Sequence, residues 1–252
     1  ASFLATAGNI TFSDAINVGP ADSAGSVVNI TAQDGDIQLD GNVTAQTLNV
    51  TASGDLTMAG NADADAMTAD IGGSSSTVSG ELTLANGLIK AGSGALVLTG
   101  NNAGTTATTA VQAGSLQLGD GGTTGFIDSS QIELFEGAAL LINRSDALTL
   151  AADVVAVDAD ENGDLVGGGL VKMSSGTLTL TGNSTYTEGT TISGGVLKVG
   201  ANSALGTGDV TVNAGTQLDL NGKDLANGLS LAGAGVDTNG DGTADNFGAL
   251  LN

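Results

Sequence analysis

The sequence predicts an all-β protein wound as a parallel β-solenoid of about 20 residues per rung. Three observations lead there. A short strand element recurs along the whole chain, the recurrences keep fixed spacings, and the composition disfavours helix. The element is Gly, a variable residue, then apolar–x–apolar. It occurs at Gly8–Phe12, Gly35–Leu39, Gly54–Met58, Gly80–Leu84, Gly94–Leu98, Gly114–Leu118, Gly176–Leu180 and Gly195–Val199. Its period of two places the apolar residues on one face and Thr, Gln or Lys on the other. The glycine at each entry is expected to supply a turn conformation that other residues avoid.

The spacing separates a solenoid from a sandwich or barrel. Asn29–Ala32 returns one short period later as Asn49–Ala52. On a larger scale Lys90–Asn101 returns as Lys172–Asn183, and Ala113–Gly119 as Gly194–Gly200. One rung of two or three short strands with their corners needs about 20 residues, so the chain predicts about twelve rungs. The expected divisions are irregular rungs over 1–88, one long repeat over 89–171 and a second over 172–252. Asn61–Ser79, rich in Ala, Asp and Ser, reads as a looser rung or a protruding loop.

Composition agrees. Of 252 residues, 41 are Gly, one is Pro, and His, Cys and Trp are absent, with aromatics at 2%. A thick globular core leans on aromatics; a thin layered core of Val, Ile, Leu and Ala does not. A mean hydropathy of +0.21 argues against disorder. Gly, Thr, Asn and Ser all weaken helix interiors.

The net charge of −22 comes from 27 acidic and 5 basic residues. The five (Lys90, Arg144, Lys172, Lys198 and Lys223) are scattered, so no basic patch for nucleic acid exists. Lys172 and Lys198 fall on strands and Lys90 repeats Lys172, so all three read as outward-facing surface lysines. No apolar run reaches the length of a membrane helix. Residues 1–25 lack the basic and apolar regions of a leader; with Ala1 at the start, the chain reads as a processed or excised piece. Six Asn-x-Ser/Thr sequons, at Asn9, Asn29, Asn42, Asn49, Asn143 and Asn183, read as chance in an Asn- and Thr-rich chain.

Without His or Cys, Ser–His and Cys–His nucleophile systems are excluded. The best chemical motif is Asp237, Asn239, Asp241, Gly242, Thr243 and Asp245, a D-x-N-x-D-G-x-x-D run. Alternate oxygen ligands with a Gly at the sharp turn suit calcium, Thr243 lending its backbone carbonyl. Gly248 stands where an EF-hand has its bidentate Glu, so weaker binding is expected. Asp158, Asp160, Asn162 and Asp164 form a fainter echo, one long repeat earlier and so expected at an equivalent corner.

The run Gly176–Gly200, with Gly182–Asn183, Tyr186, the Thr190–Thr191 pair and Gly195–Gly200, resembles the autotransporter passenger-associated repeat. Residues 27–60 resemble the rungs of filamentous haemagglutinin-type exoproteins. The resemblance implies a right-handed parallel β-helix, secreted or displayed at a bacterial cell surface within a longer polypeptide. No aromatic-girdled membrane barrel follows, and Gly248–Asn252 reads as the opening of another repeat. The expected function is a non-catalytic structural or adhesive segment. Its partners would be a host or neighbouring cell surface, or an extracellular polysaccharide. A self-assembling filament, sheath or matrix subunit, a polysaccharide-active β-helix enzyme, and an ice- or mineral-binding Thr face are the competing readings. The Thr rows are too irregular for the last.

Overall fold

A computed structural model describes residues 1–19, 25–159, 163–233, 235 and 249–252. Among them there is no helix, and so none long and apolar enough to cross a membrane. Short parallel strands stack in about ten turns spaced about 21 residues apart, making a β-solenoid. The eight Gly-led elements are all strands or parts of strands.

The chain divides into two compact units, Ala1–Asp120 with Thr124–Gln131, and Gly121–Thr123 with Ile132–Asn252. In the first, one parallel sheet stacks Ser2–Ala5, Val27–Ala32, Thr47–Ala52, Ala62–Ile71, Leu82–Ala91 and Thr109–Val111. A second stacks Ile10–Phe12, Ile37–Leu39, Leu56–Met58, Ser76–Val78, Ala95–Leu98 and Ser115–Leu118. The second unit repeats the scheme. Ala139–Asn143, Gly169–Met173, Thr190–Ile192, Val210–Val212 and Leu229–Leu231 form one sheet; Leu148–Leu150, Thr177–Leu180, Val196–Val199, Gln217–Asp219 and Leu250–Leu251 form the other.

Registers explain the sequence periods. Val28 pairs with Leu48 and Leu48 with Met67; Ile37 pairs with Leu56. Inward residues therefore stack on inward residues, and Val28, Ile30, Ala32, Leu48, Val50, Met67 and Ala69 are buried. At roughly 1.5–3 kcal/mol for each large aliphatic side chain, this column is the main stabilising term. Asn61–Ser79 is corrected here. Ala62–Ile71 is a continuous strand whose inward Ala62, Ala64, Met67, Ala69 and Ile71 are buried. Its alanines fit a narrow core, and its Asp residues fall on outward positions.

There are about ten turns, not twelve, because some turns are long. Most registers step by one short period, but Ser2 pairs with Asn29, Ala139 with Gly169 and Leu218 with Leu250. The strands keep their parallel stack across these longer steps. In one long turn an antiparallel pair, Asp158–Ala159 with Leu165–Val166, forms the arms of a hairpin.

The role expected for the entry glycines is also corrected in part. Gly8, Gly114 and Gly195 do have left-handed backbones, at φ 82, 65 and 62. Gly35, Gly54, Gly80, Gly94 and Gly176 do not. There the turns approach too closely for a side chain: a Cβ on Gly80 would be driven into the carbonyl of Gly60, and one on Gly94 into that of Gly73.

Candidate functional surface

Among the described residues no cleft brings the sequence-singled ones together, so the candidate site is the outer surface and the corners that shape it. In the first unit the corner side chains of successive turns cap one another. Asn9 Oδ1 accepts from the Asp36 amide at 2.9 Å, Asp36 Oδ1 from the Asp55 amide at 2.9 Å, and Asp55 Oδ1 from the Ser75 amide at 2.8 Å. A parallel ladder, Asn42 Oδ1 to the Asn61 amide and Asn61 Oδ1 to the Glu81 amide, runs along another corner. A side-chain oxygen here replaces the acceptor that a corner amide loses on leaving the sheet. Part of the acidic excess is thus structural. Asn49 Nδ2 also donates to Asn29 Oδ1 at 2.8 Å across one sheet.

These ladders border shallow polar grooves. One, of about 340 Å³, is lined by Asn9, Thr11, Asp36, Gln38, Asp55 and Thr57. Another, of about 280 Å³, is lined by Asn42, Thr44, Asn61, Asp63, Glu81 and Thr83. A third, of about 480 Å³, has Thr31, Gln33, Thr51, Ser53, Asp70 and Ser93 along it. Hydroxyls, amides and carboxylates dominate the first two, which suits hydrated polar ligands, while Ala32, Ala52 and two glycines make the third more apolar.

Two of the five basic residues are withdrawn from the outer surface. Lys90 and Lys172 are 0% and 1% exposed. This overturns their reading as surface lysines. Both sit at inward strand positions, Lys90 in register with Ala69 and Val111, Lys172 with Ile142 and Ile192. Lys90 Nζ donates to the carbonyls of Ala91, Gly92 and Ala113 at 2.7, 2.8 and 3.2 Å. Lys172 Nζ donates to those of Met173, Ser174 (2.8 Å) and Gly194 (3.1 Å). Burial lowers both amines to about 8; nearby Asp70 opposes the shift at Lys90. Arg144 pairs with Asp146 through two hydrogen bonds, and that bonding holds the Asp146 carboxyl below its usual range. Lys198, as expected, faces outward, 3.7 Å from Asp219 on the neighbouring strand.

Two further buried groups escaped the sequence reading. Asn102 accepts from the Leu82 amide at 2.8 Å and donates to the Gly100 and Phe126 carbonyls at 3.2 and 2.8 Å. Tyr186, fully buried, bonds Thr190 Oγ1 at 2.6 Å, and burial raises its phenol above the usual range.

Asp237, Asn239, Asp241, Thr243 and Asp245 lie outside the described residues, as do Asp160 and Asn162. Asp158 Oδ2 accepts from the Glu136 amide at 2.7 Å, and Asp164 is exposed. Among the described residues no group of three or more Asp or Glu is gathered to hold a metal. The expectation that the two acidic segments hold equivalent corners rests on these residues and likewise lies outside the described part of the chain.

No curated protein and no solved structure matches the chain. A family model does match twice, that of the passenger-associated-transport-repeat, over residues 88–118 and 170–199. The repeat is associated with autotransporter passengers. Each match begins just before a buried lysine, at Leu88 and Leu170, and ends with a strand, at Leu118 and Val199. Two segments of the chain thus match the passenger-associated transport repeat, each wound as a coil of a β-solenoid.

Proposed function

We propose that this chain is a non-catalytic structural and adhesive segment of a protein carried outside the bacterial cell. The observation that carries the reading is the placement of two passenger-associated repeats on stacked parallel coils whose outer surface is polar and acidic. A coil that grows turn by turn has low contact order and folds without long-range searching, which suits folding after export. The grooves of the first unit offer hydroxyl, amide and carboxylate groups at the regular spacing of the turns, suited to an extracellular polysaccharide or a glycan-bearing cell surface. Net charge of −22 opposes bare anionic surfaces, so adhesion to them would run through divalent cations. The run Asp237, Asn239, Asp241, Thr243 and Asp245 is proposed as a calcium loop on its ligand pattern alone.

The test uses the full chain immobilised on beads, offered labelled neutral and acidic polysaccharides and whole bacterial cells, with calcium or chelator. Retention of cells or glycan without any change in the glycan's size supports the reading. Release of reducing ends or unsaturated products points instead to a β-helix enzyme, and overturns the non-catalytic reading. Fibres that lengthen with time under electron microscopy support a filament subunit instead.

A further inference from the structure

The two buried lysines have a common geometry that the outer surface does not use. In each, two of the three acceptors lie where the lysine's own strand ends and the corner begins, at Ala91 and Gly92 or at Met173 and Ser174. The third lies one turn later, at Ala113 or Gly194. Both lysines and all six acceptors fall inside the matched repeats. An ammonium group carries three donors and no acceptor, so three converging carbonyls satisfy it completely.

The corner backbone is shaped for this. Gly92 and Ser174 hold equivalent left-handed positions, at φ 73 and 49. A serine adopts that conformation at an energetic cost, so something must hold it there. Its carbonyl accepts from Lys172, and its hydroxyl donates to Asn143 Oδ1 on the preceding turn. Corner carbonyls leave the sheet ladder, and with the lysines closed off from water no solvent replaces the ammonium. Opening the corner would strand three carbonyls and a charge together.

We propose that Lys90 and Lys172 are staples, each tying the first corner of its repeat to the same corner one turn later, so that the repeat opens last and as a unit within its half of the protein. The passenger repeat on this account is a closed coil with an internal lock. Neighbouring turns such as 47–71 are held by the sheet ladders and by capping side chains without a buried cation.

Amine acylation of the native full chain, pulsed with an N-hydroxysuccinimide acetate and read lysine by lysine in a mass spectrometer, tests this. Lys198 and Lys223 are the internal comparators. Lys198 and Lys223 react in the first pulse, and Lys90 and Lys172 react roughly a thousandfold more slowly, becoming labelled only where their unit unfolds in denaturant. Hydrogen exchange on the same chain is slowest over 88–118 and 170–199. Lys172→Met, which keeps the volume and removes the donors, accelerates exchange across 170–199 at least about tenfold and leaves 88–118 unchanged. Acylation of native Lys90 and Lys172 within about tenfold of Lys223 overturns the proposal, as does exchange in the repeats as fast as over 47–71. The acylation arm needs no variant, so a Lys172→Met chain that fails to fold does not rescue the idea.

Discussion

The repeats at 88–118 and 170–199 share a lysine lock and differ in what fills the corners around it. After the lysine, the first repeat turns on Gly92 and the second on Ser174, in the same left-handed conformation. Beyond its next strand the first repeat fills the corner with Asn102, which satisfies three backbone groups; the second fills it with Tyr186, which contributes volume and one hydroxyl contact. Hydroxyls bond the backbone in both corners, Thr105 in the first and Ser184, Thr185 and Thr187 in the second, but only the second adds a buried ring to this single template. The backbone path and the lysine are therefore what define the coil, and the remaining corner contents are interchangeable solutions to filling it.

The comparison can be broken first at Tyr186. Tyr186→Ala removes a fully buried ring and should cost about 3–5 kcal/mol in chemical denaturation, confined to the second unit. Asn102→Ala in the first repeat should cost less, roughly 2–3 kcal/mol, since its loss strands the Leu82 amide and two carbonyls but leaves a small cavity. Equal losses would show that the two corners work the same way.

The pH dependence follows next. Burial sets each lysine at about 8 in the folded chain, against 10.5 when unfolded. Between those values the unfolded chain holds more protons, so stability rises with pH from about 8; below 8 the full cost of the buried charge is present. Tyr186, held above its usual range, acts oppositely once the unfolded phenol ionises near pH 10. The gain therefore shows between pH 8 and 10, on the order of 2–3 kcal/mol for each lysine. Urea titrations across that range measure it, and Lys172→Met should flatten the slope of the second unit. Asp70→Asn should lower Lys90 further, so that the rise in the first unit begins at a lower pH.

Smaller effects sharpen the corner itself. Ser174→Gly should stabilise the second unit by about 1 kcal/mol by relieving the left-handed serine, offset by the lost bond to Asn143. The reciprocal Gly92→Ser should destabilise, because a Cβ there meets the Ile71 carbonyl. Lys198→Ala, which removes an exposed pair at 3.7 Å, should change stability by less than about 0.5 kcal/mol.

Much of the fold was legible in the chain. The Gly-led strands and the short period read correctly because each turn buries the same alternating residues. The lysines were legible in principle: counting inward from Leu88 and Leu170 by twos lands on Lys90 and Lys172. Their charge outweighed their phase in the reading, and only three converging carbonyls make the inward position tolerable. The close approach at Gly80 and the capping by Asp36 and Asp55 were not legible, because both depend on which corner of the previous turn lies beneath. Long turns, such as those that bring Ala139 to Gly169 and Leu218 to Leu250, break the link between sequence offset and corner.

The central claim is in-register parallel stacking, and the absence of cysteine makes it directly testable. Thr57 and Thr77 are outward register partners, and Thr77 pairs in turn with Val97. Adjacent parallel strands place such residues about 5 Å apart, within reach of a disulfide. Thr57→Cys with Thr77→Cys should oxidise rapidly to an intramolecular bond in the native chain, while Thr57→Cys with Val97→Cys, two turns apart, should remain free. Rapid closure of the second pair in place of the first would contradict the stacked-coil account.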